Sequence, residues 1–111
     1  MLLVAAACAS VPNRPPRLEA SSYGCMRAVV EQKLPAALPD KRAHCLASGL
    51  IARYCSVSEA HLASAGKELR DLLGTGDAES SDLRANRTGI DCARAAEDDQ
   101  ALARCCSDRG Y

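Results

Sequence analysis

Phenylalanine and tryptophan are absent, and the only aromatic residues are Tyr23, Tyr54 and Tyr111. Ligands bound by stacking, such as sugars and unpaired bases, are therefore poorly served. Net charge is missing too, since 14 basic residues balance 14 acidic ones. That argues against a nucleic-acid partner and against a polybasic lipid-binding surface. No run approaches the ~20 apolar residues that span a bilayer. β-Branched residues are few and never sustain a period of two, so strands have no signal. The chain also lacks Cys-x-x-Cys, the usual redox spacing. The Gly-Thr-Gly at 74–76 has no following Lys and is too short for a phosphate loop.

What the chain has instead is cysteine, seven in 111 residues. The number is odd, and Cys8 stands apart at the end of the apolar run Leu2-Leu3-Val4-Ala5-Ala6-Ala7. With Cys8 set aside, Cys25, Cys45, Cys55, Cys92, Cys105 and Cys106 suffice for three disulfides. Such bonds persist in oxidising compartments. They are also needed, because a core of Ala and Leu without large rings is thin, and small thin-cored domains rely on staples.

The stretch Leu2–Ser10 resembles the lipobox of bacterial lipoproteins, with small side chains before a cysteine that becomes the lipidated first residue. The resemblance covers the first ten residues, with Ala5 where leucine is usual. It implies a signal at 1–7 and lipid, including palmitate, on Cys8. The apolar run is short and lacks a basic start, as expected of a signal that begins upstream of Met1. Ala9 follows the cysteine where an Asp commonly retains a lipoprotein in the inner membrane, so the resemblance implies the outer membrane in a Gram-negative cell. Residues 8–22 then read as the lipidated cysteine and a tether, with Pro12, Pro15 and Pro16 favouring extended backbone.

Residues 23–111 read as an all-α domain, a small bundle of four or five short helices stapled by disulfides. The first helix spans about Tyr23 to Leu34 and stops at Pro35. Asp40 is the expected N-cap of a second helix, Lys41 to Cys55, with Leu46, Leu50, Ile51 and Tyr54 on one face. Ser56 and Glu59 form a capping box for a third. Leu62, Gly66, Leu69 and Leu73 repeat along it, Gly66 offers close approach, and Gly74 stops it in the left-handed conformation. Asp77 or Ser80 caps the next helix, in which Leu83, Arg87 and Ile90 share a face and Gly89 introduces a break or bend. The last helix begins near Asp98 or Asp99.

Cys45 and Cys55 lie ten positions apart on one helix, about 80° around the axis and about 15 Å along it. They cannot bond each other. Adjacent Cys105 and Cys106 reach different partners. Six cysteines allow 15 pairings. The favoured one is nested, Cys55–Cys92 with Cys45 and Cys25 taking Cys105 and Cys106 in either order. Its competitor starts with Cys25–Cys45 across a hairpin at Pro35. The segment Cys45–Cys55 resembles one half of the twin C-x9-C hairpins of the mitochondrial intermembrane space. The second half departs, with twelve residues between Cys92 and Cys105, so no function follows.

No cofactor and no metal is expected. His44 adjoins Cys45 and His61 lies 17 positions on, but zinc-type spacings are missing and oxidised cysteines do not ligate. Lys67, Glu68, Arg70 and Asp71 read as a solvated face with a Lys67–Asp71 pair. Asp82, Arg84, Asn86, Arg87, Asp91 and Arg94 form a denser polar group, able to bind an anion or a partner but read first as local ion pairs. Asp82 and Asp91 do not make a case for a hydrolase. The expected role is non-enzymatic: a binding or structural module of the periplasm-facing envelope, anchored to the membrane by lipid and working with an envelope protein partner. The alternative is a secreted, disulfide-rich inhibitor or effector without an anchor.

Overall fold

The computed structural model describes residues 11–65, 68–74 and 80–111. Cys8 and the signal 1–7 lie outside the described residues, as do Gly66, Lys67 and Asp77. Six helices are present among the described residues: α1 Ser22–Gln32, α2 Asp40–Tyr54, α3 Val57–Ala65, α4 Glu68–Leu73, α5 Ser80–Ala95 and α6 Asp99–Asp108. The all-α reading holds. Along the stretch expected as one helix from Ser56 to Leu73, the described residues form α3 and α4, with Gly66 and Lys67 between them outside the described residues.

Local chemistry sets most of the ends. Ser21 Oγ accepts from Gly24 N at 3.1 Å and opens α1. Ser56 Oγ accepts from Glu59 N at 3.0 Å and opens α3. Asp98 accepts from Ala101 N at 2.7 Å and opens α6. Gly74, at φ 73°, closes α4 in a conformation that costs a glycine little. Asp40 is a correction. Pro39 occupies the cap position of α2 without a side-chain bond, and Asp40 is the first helical residue, its carboxylate turned to Lys41.

Helix α2 is the axis of the molecule. Every residue from His44 to Tyr54 is buried, because neighbours cover it on all sides rather than on the one face that its leucines mark. Its closest partner is α5. Asp82, Ala85, Asn86, Gly89, Ile90, Cys92 and Ala93 form the buried side of α5. The stripe expected through Leu83 and Arg87 is therefore corrected: Leu83 is 45 % exposed while Ile90 is 1 % exposed. Nor does Gly89 break α5. It lets the helix touch α2, since a Cβ there would sit 1.9 Å from the Cys45 carbonyl oxygen. Leu62 is likewise 68 % exposed, whereas Leu69 is fully covered.

Three disulfides join the helices. Cys25–Cys55 ties α1 to the end of α2. Cys45–Cys106 ties α2 to α6, and Cys92–Cys105 ties α5 to α6. Cys105 and Cys106 thus take different partners, and Cys45 does take Cys106. The nested scheme is otherwise overturned, and so is Cys25–Cys45. Residues 33–39 between α1 and α2 can extend about 25 Å, enough to carry Cys25 past the start of α2 to its far end. Cys92 and Cys105 face each other because residues 96–98 alone separate α5 from α6.

The proline-rich segment is bound to the helices from residue 11 onward instead of projecting as a spacer. Val11 is buried. Arg14 Nη1 donates to the carbonyls of Ala52, Arg53 and Cys55 at 2.8, 2.9 and 3.3 Å, satisfying the open C-terminal end of α2. Arg17 grips Glu59 with two bonds of 2.7 and 2.6 Å. Ser22 and Ser56 also donate to Glu59, at 2.5 and 2.8 Å. The capping-box glutamate therefore clamps the N-terminal strap, α1 and α3 at one point.

These donors, Arg17 foremost, hold the Glu59 carboxyl down at about 2, below the ordinary value of about 4.3. A depressed folded value stabilises above the unfolded value and is lost as pH falls through the folded one. Stability is expected to decline between about pH 4 and pH 2, and Glu59→Gln to flatten that decline. At neutral pH the same change is expected to cost about 1–2 kcal/mol, modest because Arg17 is partly in water. Urea midpoints measured across pH test this, and a parallel decline in both proteins contradicts it.

Candidate functional site

Besides the Glu59 clamp, two further clusters of polar side chains stand out among the described residues. The first lies where the opening turns of α2 and α5 meet. Asp40 and His44 are one turn apart on α2, so they share a face. Asp82 and Asn86 stand in the same relation on α5. Side by side, the helices bring these four residues together.

Lys41 joins the two carboxylates. Its Nζ lies 2.9 Å from Asp40 Oδ2 and 2.7 Å from Asp82 Oδ1. The other oxygen of each carboxylate faces His44: Nε2 lies 3.8 Å from Asp40 Oδ1 and 3.8 Å from Asp82 Oδ2. That separation is too long for a hydrogen bond. His44 is 2 % exposed, and its buried Nε2 has no hydrogen-bond partner. Buried polar atoms are nearly always partnered, so this nitrogen is exceptional.

The opposite ring nitrogen is engaged. His44 Nδ1 lies 2.9 Å from the Asn86 carboxamide. With its NH2 turned inward, Asn86 donates to Nδ1 and to the carbonyls of Asp82 and His44, and accepts from Ser64 Oγ. In that arrangement the ring proton sits on Nε2, between the carboxylates. Turned over, Asn86 Oδ1 accepts a hydrogen bond from Nδ1–H and leaves the Nε2 lone pair facing Asp40 and Asp82. The amide oxygen then also meets the carbonyls of Asp82 and His44, so the first arrangement is the better satisfied. A void of about 10 Å³ adjoins the imidazole, bounded by Ser64, Asp82 and Asn86 among others. Asp40, His44 and Asp82 each present one ligand-type atom, all within 4.8 Å of one another.

The second cluster joins α2 to α6. Asp99 accepts from Tyr54 Oη at 2.6 Å and from Arg53 Nε at 2.9 Å. Arg53 also donates to the carbonyls of Pro12 and Ala96 at 3.2 and 3.3 Å. Burial, and then the Asp99 carboxylate, push the Tyr54 phenol up to about 12. Arg53, Tyr54 and Asp99 are thus satisfied by one another, which marks a structural corner beneath the N-terminal strap.

The polar group seen along α5 divides. Asp82 and Asn86 point inward to His44, whereas Arg84, Arg87, Asp91 and Arg94 are exposed. Asp82 and Asp91 occupy different sides of the helix and do not pair. His44 and His61 also part company, one buried and one exposed. In the sequence the visible neighbour of His44 is Cys45, whereas in the fold its ring faces the carboxylates of Asp40 and Asp82. Asp40-x3-His44 is a visible signal, since i and i+4 share a helical face. Asp82 could not be found that way, because only the packing of α5 on α2 brings it in.

No protein-family model matches the chain, and comparison with curated proteins and with solved structures finds no match.

Proposed function

We propose that the chain is a non-enzymatic module of the bacterial envelope, held at the membrane by lipid on Cys8. The observation behind this is the closed pairing of Cys25, Cys45, Cys55, Cys92, Cys105 and Cys106. It leaves Cys8 as the one cysteine without a role in the staples, at the end of an apolar, alanine-rich run. The domain then faces the periplasm, with the outer membrane the favoured address, and serves binding or structure beside an envelope protein partner. The strap refines the picture. Only residues 9 and 10 separate Cys8 from buried Val11. Three residue steps span about 10 Å, so the domain rides close to the bilayer instead of swinging on a long leash.

Palmitate labelling of cells expressing the wild type and Cys8→Ala tests the anchor. Label on the wild type alone is expected. Equal labelling of both, or of neither, overturns it, and a mature protein with a free amine beginning after residue 10 points to the secreted inhibitor or effector.

A further inference from the structure

We propose that Asp40, His44 and Asp82 form a binding site for a divalent transition-metal ion, with Zn²⁺ the ion to test. The carrying observation is His44 Nε2: buried, without a hydrogen-bond partner, and aimed between two carboxylate oxygens at 3.8 Å each. One imidazole and two carboxylates make a three-ligand set that leaves a position open for water or another ligand. Bonds of about 2.0–2.2 Å place ligand atoms about 3.3 Å apart in a tetrahedral site. The present spacings of 3.8 to 4.8 Å therefore close by about 0.5–1.5 Å around an ion. Asp40, at the exposed first turn of α2, supplies that movement and the route in from solvent.

The surroundings fit a second layer of support. Lys41 lies against one oxygen of each carboxylate, and the other oxygen of each faces His44 Nε2. Asn86 faces His44 Nδ1, where metal-bound histidines usually find an orienting partner. Ligation requires the lone pair on Nε2, so the proton moves to Nδ1 and the Asn86 carboxamide turns over to present its oxygen, giving up its bonds to the carbonyls of Asp82 and His44. Ion binding is thus coupled to one tautomer of His44. Lys41 also neutralises part of the carboxylate charge, which weakens the hold on a cation.

Titration of Zn²⁺ into the oxidised full-length protein carrying Cys8→Ser, followed by calorimetry near neutral pH, tests the site without a competing thiol. One ion per chain is expected. Asp40→Asn, on the exposed turn and safe for folding, is expected to weaken binding at least tenfold. Lys41→Gln is expected to tighten it about tenfold by removing a competing positive charge. His61→Ala is expected to leave it unchanged. Imidazole ¹⁵N spectra should show His44 with its proton on Nδ1 in the zinc-saturated protein. Absence of binding at millimolar zinc overturns the proposal. So does binding that survives Asp40→Asn but is lost in His61→Ala, or a zinc-saturated protein in which His44 keeps its proton on Nε2.

Discussion

Replacement of Cys45 and Cys106 together by alanine is expected to unfold the domain at about 37 °C, and to do so more completely than loss of either other disulfide. The bond closes a separation of 61 residues, against 30 for Cys25–Cys55 and 13 for Cys92–Cys105. Restriction of the unfolded chain grows with loop length, giving about 4 kcal/mol for the longest loop and about 3 kcal/mol for the shortest. Both sulfurs of Cys45–Cys106 are fully buried, so the change also removes packed atoms between α2 and α6. A domain of this size has about 5–15 kcal/mol in total. Fully buried side chains here include Leu50, Ile51, Leu69, Ile90, Leu102 and Val29, with no aromatic ring among them, which leaves little to absorb the loss. Urea unfolding of the three double-alanine variants ranks the bonds. A Cys45/Cys106 variant at least as stable as the Cys92/Cys105 variant contradicts the expectation.

Gly89→Ala is expected to cost about 3 kcal/mol or more, a large effect for one methyl group. The added Cβ would stand 1.9 Å from the Cys45 carbonyl oxygen, 2.8 Å from its carbon and 2.5 Å from Ser48 Oγ. Two of these are backbone atoms of the central helix and cannot rotate away. Gly49 faces the same contact from the other side, where an added Cβ would stand 2.8 Å from the Gly89 carbonyl oxygen and 2.6 Å from Leu102. Relief therefore requires α5 to back off α2 along the seam that also carries Cys45. A drop in urea midpoint with unchanged slope is the expected reading. Wild-type stability in Gly89→Ala means that the two helices do not touch at this point.

The helices were legible where side chains act on their own neighbourhood. Ser56 and Glu59 opening α3, Gly74 closing α4 and Asp98 opening α6 all work within one turn, so their spacing along the chain suffices. Cys45 and Cys55 also had to reach different elements, because the geometry of a single helix forbids their bond. Relations between helices were not legible. The pairing of Cys25 with Cys55 depends on how a seven-residue connection routes α1. Gly89 looked like an interruption because alone it weakens a helix, and only the neighbouring backbone shows what its small size permits. Leu83 and Leu62 looked inward by spacing, yet the bundle ran out of surface to cover them. Of the polar site, Asp40 and His44 could be joined from sequence, but Asp82 could not. Glu59 was seen as a cap and is also a clamp, since Arg17 lies 42 residues away from it.

The order of the cysteine bonds has a consequence for survival among proteases. Cys25–Cys55 and Cys45–Cys106 interlock along the chain, and Cys92–Cys105 lies inside the span of the second. Any one peptide bond between Cys25 and Cys106 can then be cut without releasing a fragment. A nick between 74 and 80, for instance, yields two polypeptides still linked through Cys45 and Cys106. Such a molecule runs as a single species until a reductant is added, and it can stay assembled in its compartment after an attack that would dismember an uncrosslinked bundle.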